Sequence, residues 1–314
     1  MYVAGYERNE QGIDVAKLWK NGVAENLSDG SRNASAFGNI YISGNDVYVC
    51  GQEYTGTSNI YFAKFWKNGI QQNLSNGSRD AVAYSVFVSN NDVYVAGCER
   101  DELGWSIAKV WKNGVAENLS DGSQNAFAYF IYIAGNDVYV AGNETNAQGK
   151  YIAKLWKNGL AQNLTNGSAN ATASCVFVSG QDVYVAGNEM NAQEITVAKL
   201  WKNGTAQNLT DGKTNASVRS VFVSGQDVYV AGYERNERNI NIAKLWKNGT
   251  AQAFTEGITN ASANAVFVSG KDVYVAGFES NTQLIGVAKL WKNGVEQAIT
   301  DGSRSASLYT VFVK

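Results

Sequence analysis

Short apolar runs recur along the whole chain, separated by polar, glycine-bearing stretches, and no window keeps a helical period. Residues 221–254 serve as the type. Val221-Phe222-Val223 is followed by Ser224-Gly225-Gln226-Asp227, then by Val228-Tyr229-Val230-Ala231-Gly232. A longer polar stretch precedes Ile240–Trp246, and Lys247-Asn248-Gly249 leads into Ala251–Phe254. β-branched and aromatic residues fill the runs, and Asn-Gly, Asp-Gly and Ser-Gly punctuate them, so the pattern predicts four strands, here named A to D.

The pattern repeats seven times. Trp-Lys-Asn-Gly begins at Trp19, Trp66, Trp111, Trp156, Trp201, Trp246 and Trp291. Gly-x-Glu ends at Glu7, Glu53, Glu99, Glu144, Glu189, Glu234 and Glu279. The spacing is 45 residues apart from two single insertions, one near Phe37-Gly38 and one within Tyr54–Ile60. Neither insertion falls in an apolar run, so both are expected in loops. Four antiparallel strands in each 45-residue unit, seven times over, predict an all-β seven-bladed β-propeller. A unit of this size cannot bury both faces alone, so residues 1–314 are expected to form one domain. The chain begins in strand B and ends in strand A. The C-terminal strand A should therefore pair with the N-terminal strand B, in a composite blade built from residues 1–30 and 303–314.

Composition narrows the chemistry. The 314 residues include no His and no Pro, and the net charge is −2. Without His there is no Ser-His-Asp or Cys-His nucleophile, and most zinc sites are excluded. Cys50, Cys98 and Cys175 are too far apart for a CxxC pair and are odd in number. Mild acidity gives no electrostatic reason to bind nucleic acid. No apolar run reaches the ~18 residues of a membrane helix, and residues 1–20 lack the pattern of a signal peptide. No cofactor or metal is implied, and a monomer is expected.

Groups present in every repeat are read as structural. Period two places Val228, Val230, Gly232 and Glu234 on one face of strand B, and Ile242, Lys244 and Trp246 on one face of strand C. Glu234 should meet Lys244 as a blade-to-blade ion pair packed on the Trp246 indole, with a cation–π element. The Asp before Val-Tyr, such as Asp227, is read as a turn residue bonded to its own backbone. The repeated Trp should lie between blades. Trp105 is the exception, in a B–C loop.

Differences between repeats locate the candidate site. The B–C loops and D–A connections vary and should share one side of the disc; the A–B and C–D turns scarcely vary. At the entry to strand A stand Phe37, Tyr84, Tyr129, Ser174, Arg219, Asn264 and Tyr309. Strand A is innermost in a propeller, so these seven should ring one mouth of the central channel. Trp105, Tyr54, Arg100 and Arg235 are placed near the rim, with Tyr6, Arg8 and Arg238. Aromatics with an Arg and an Asn around a concave opening suit a polar ligand with flat apolar faces.

The segment Gly225-Gln226-Asp227-Val228-Tyr229-Val230-Ala231-Gly232 resembles the core of bacterial β-propeller repeats. The resemblance covers all seven repeats and is strongest on the A–B hairpin. It implies a secreted or cell-surface location and a binding role, and it transfers no site residue. Three functional readings stand open. The leading one is a non-enzymatic binding propeller that recognises a glycan or a protein on the B–C/D–A loop face. The others are a structural repeat scaffold without a ligand, and a carbohydrate-active enzyme using two non-repeated carboxylates.

Overall fold

The computed structural model describes residues 1–57 and 59–314, and every regular element among them is a β-strand. The strands form seven antiparallel sheets, each crossed in the order A-B-C-D. This is a seven-bladed β-propeller. In the type blade, strand A spans Ala216–Ser224, B Asp227–Arg235, C Asn241–Lys247 and D Thr250–Ala253. Strand A thus starts five residues before the Val-Phe-Val run that announced it. The ring closes as expected. Ala306–Phe312 pairs with Tyr2–Arg8, from Tyr2 opposite Phe312 to Glu7 opposite Ala306.

The insertion at Phe37-Gly38 does not lie in a loop. It interrupts an innermost strand, whose halves Ala34–Ser35 and Ile40–Ser43 both pair with Asp46–Tyr54. The second insertion falls between the strands ending at Tyr54 and beginning at Tyr61, in a loop whose residue 58 lies outside the described residues.

The core lies between blades. Trp246 is fully buried and shares one apolar cluster with Ala186, Ala198 and Leu200 of the preceding blade. The other six repeated Trp are at most 3% exposed. Nε1 of Trp66, Trp156, Trp201, Trp246 and Trp291 has no hydrogen-bond partner. These indoles are therefore held by packing, the kind of contact whose truncation costs about 3–5 kcal/mol.

The repeated charges serve the blade itself. In all seven blades the motif Glu bonds the motif Lys, as Glu53 does Lys64 at 2.7 Å and Glu234 does Lys244. Each pair joins strands B and C of a single blade, since Lys244 stands opposite Gly232, diagonal to Glu234. That corrects the expected blade-to-blade pair. The cation–π contact also falls elsewhere. In all seven blades the Lys after the Trp covers a Tyr ring, as Lys247 covers Tyr229 at 5.3 Å, and of the motif lysines Lys64 covers Phe62 at 5.4 Å.

Asp227 likewise does more than close its own turn. Its carboxylate accepts from Asn248 Nδ2 at 2.7 Å and pairs with Lys247 Nζ at 2.7 Å, tying the A–B turn to the C–D turn. Asn248 and Gly249, at φ 50° and 81°, form the Asn-Gly type I′ hairpin turn. Its side chain in turn accepts from Val228 N at 2.8 Å.

Candidate functional site

The channel mouth is made by a repeated irregularity of strand A. Pairing of A with B jumps between Val218 and Ser220, leaving Arg219 as the extra residue of a β-bulge. The same jump leaves Tyr84, Tyr129, Ser174, Asn264 and Tyr309 unpaired in their blades. In the remaining blade the break in strand A holds Phe37. A bulge bends its strand and re-aims the extra side chain, here toward the axis. All seven predicted mouth residues line one central cavity of about 940 Å³.

The bulge has a second requirement on strand B. A Cβ on Gly232 would fall 2.1 Å from the Ser217 carbonyl oxygen, and one on Gly142 1.9 Å from that of Phe127. Each repeat therefore keeps glycine at this position, because the bulged strand A passes too close for any side chain.

Around the ring the seven residues separate into two arcs. Tyr309, Phe37, Tyr84 and Tyr129 stand on four adjacent blades, with ring centres 6.4, 5.8 and 5.1 Å apart in turn. They form a continuous aromatic wall. Burial pushes the Tyr84 and Tyr129 hydroxyls well above the usual range and Tyr309 up to about 12, so all three are neutral hydroxyls at physiological pH. The opposite arc is Ser174, Arg219 and Asn264. Asn264 is committed to the fold, donating to the Leu308 carbonyl at 2.8 Å and accepting from Ser262 Oγ at 2.8 Å. Arg219 is exposed to the channel. It is the one charged residue in the lining, and among the described residues it has no acidic partner.

Three residues farther along strand A, four in the blade of Phe37, lies a feature not anticipated from the sequence. Tyr41, Phe87, Tyr132, Phe177, Phe222, Phe267 and Phe312 all line the channel. Successive rings sit 4.5–5.1 Å apart, tilted against one another. They make an aromatic waist below the mouth. The middle residue of each Val-Phe-Val run carries it, with Tyr in two repeats, and alternation along strand A was the available signal. Tyr233, Asn241 and Phe278, from strands B and C, also line the cavity.

The residues placed at the rim do not reach this space. Trp105, 36% exposed, lies in the loop closed by Asp101, which accepts from Trp105 N at 2.8 Å. Tyr54 lies tilted against Tyr61, with ring centres 5.4 Å apart. Arg100 lies 3.9 Å from Asp80, and Arg235 donates to Asn241 Oδ1 at 3.1 Å. Arg8 pairs with Asp14 at 2.8 Å. Tyr6 stacks on Tyr309, with ring centres 6.2 Å apart. Among the described residues no carboxylate lines the cavity.

No family model matches the chain, and no curated protein matches it in sequence. Solved structures match its fold. A puromycin-hydrolyzing peptidase of Mycobacterium tuberculosis aligns with 96% of this chain and 52% of its own, with TM-score 0.65 and 9% identity. An acylaminoacyl peptidase of Pyrococcus horikoshii aligns with 96% of this chain and 50% of its own, with TM-score 0.57 and 12% identity. A puromycin hydrolase gives TM-score 0.60 and 9% identity, over 96% of this chain and 52% of its own. This chain thus spans about half the length of these enzymes, and at such identities the likeness establishes the fold alone. The leading functional expectation, a non-enzymatic propeller recognising a glycan or a protein on the B–C/D–A loop face, is corrected by these neighbours, which are peptidases. The varied side chains at the entry to strand A converge inside the channel.

Proposed function

We propose that this chain is a peptidase-associated propeller whose channel admits a narrow, extended peptide to a peptide-hydrolysing unit and turns folded chains away. The observation that carries the reading is the channel itself. Its mouth combines an aromatic wall with polar positions, and its waist carries seven aromatics, with successive rings from Tyr41 to Phe312 lying 4.5–5.1 Å apart. Such a lining suits a chain of neutral amides and flat side chains in single file, since aromatic faces accept both apolar groups and amide edges. The fold's match to peptidases supports the same reading. The lining has no acid and the chain no His, so hydrolysis is assigned to the associated unit and not to the channel.

The test is to tag the chain in its native host, purify it gently and assay the eluate on an N-acyl peptide anilide. Hydrolysis should co-elute with the tagged chain, and the recombinant propeller alone should leave the peptide intact. An eluate inert toward short peptides would overturn the proposal.

A further inference from the structure

We propose that Arg219 is the carboxylate anchor of the channel, holding the free C-terminal carboxylate of an entering peptide and so fixing its direction. The inference rests on the peptide reading of the channel and names a specificity that reading leaves open.

The argument begins with the charges. Among 27 residues lining the cavity, Arg219 is the one with a basic or acidic side chain. Its position as the bulge residue, between Val218 and Ser220, turns it from the sheet toward the axis. Three arginines outside the channel are paired, Arg8 with Asp14, Arg79 with Glu102 and Arg304 with Glu10, while Arg32 and Arg238, also outside it, stand in no ion pair among the described residues. Arg219 has no such partner among the described residues, and its neighbours on the ring, Ser174 and Asn264, bring no charge.

A lone guanidinium facing an aromatic wall selects for one anion close to a flat group. Its planar fork matches a carboxylate with two parallel N–H···O bonds, and the low-dielectric wall strengthens that pairing. Every peptide with a free end carries such an anion whatever its sequence, whereas a side-chain carboxylate depends on composition. The same charge repels the ammonium at the other end. A peptide would therefore seat its C-terminal carboxylate on Arg219 and lay its last side chain against Tyr309, Phe37, Tyr84 and Tyr129.

The experiment titrates three N-acetylated tetrapeptides of one sequence ending in Phe: the free acid, the C-terminal amide, and the amide with an internal Glu. Calorimetry should find the acid binding about tenfold or more tighter than either amide, the usual worth of a charge-assisted pair. Arg219→Gln should bring the acid down to the affinity of the amide and leave the amide unchanged. Arg219→Lys should restore part of the difference. Because Arg219 is exposed, all variants should melt with the parent. Equal affinity of acid and amide in the parent, or an equal loss for both in Arg219→Gln, would overturn the anchor while leaving the peptide channel standing. Tight binding of the Glu-containing amide would reassign Arg219 to side-chain carboxylates and overturn the terminal reading. Failure of all three peptides to bind would overturn the channel reading and the anchor with it.

Discussion

A methyl group on Gly232 would overlap the Ser217 carbonyl oxygen at 2.1 Å and crowd Val218 Cα at 2.8 Å. Both are main-chain atoms, so relief requires strand A to move away from strand B and the bulge at Arg219 to straighten. Gly232→Ala is therefore expected to destabilise by at least the ~1–3 kcal/mol usual for an overpacked site, read as a lowered midpoint in urea. Ser174→Ala, which trims a bulge residue without touching the strand pairing, should leave that midpoint where it is. Equal stability of Gly232→Ala and the parent would show that the close approach is not needed. At this scale the sequence was partly legible. The seven mouth positions stood out because they differ between repeats that otherwise agree. What made them converge, a bulge matched by a glycine on the next strand, was written only as an unexplained Gly in every strand B.

Hairpins carry the repeated charge. Lys and Asn side chains hold the carboxyls of Asp46, Asp92, Asp137, Asp182, Asp227 and Asp272 below the ordinary value of 3.8. The Asp carboxylates correspondingly raise Lys67, Lys112, Lys157, Lys202, Lys247 and Lys292 above 10.5. A carboxyl whose pKa is lower in the folded state contributes stability that is whole above the unfolded value and lost as pH falls through the folded one; the lysines do the converse at high pH. The turn network is thus fully effective between the two ordinary values, and the melting midpoint should fall on acidification below about pH 4. Changing all six Asp to Asn should flatten that acid limb, as thermal scans from neutrality downward would register. An unchanged limb would place the acid sensitivity elsewhere. Strand number, order and ring closure followed from the 45-residue period. The partners of the charges did not, since pairing register decides that Glu234 meets Lys244 within one blade and that Asp227 reaches Asn248. Register depends on the bulge and the turns, which a period alone does not supply.

Across the whole molecule, near-identical blades make a symmetric frame around an asymmetric channel. Symmetry accounts for the buried Trp interfaces and the aromatic waist, in which each repeat supplies one ring. Asymmetry at the mouth lies at the extra strand A positions, four aromatic on adjacent blades and three polar opposite, with a single cation among them. A frame repeated seven times can vary one inward side chain per blade at little cost in stability, because a bulge residue makes no ladder hydrogen bond. The central claim is that this channel takes up an extended peptide. Calorimetric titration of a short acetylated peptide acid, against the parent and against Ser174→Trp, tests it most directly, with a small folded protein as the second ligand. The account predicts saturable one-to-one binding of the peptide to the parent, loss of that binding when the Trp side chain fills the mouth without lowering the melting midpoint, and no uptake of the folded protein. Peptide binding that persists undiminished in Ser174→Trp, or no peptide binding to the parent, would contradict it.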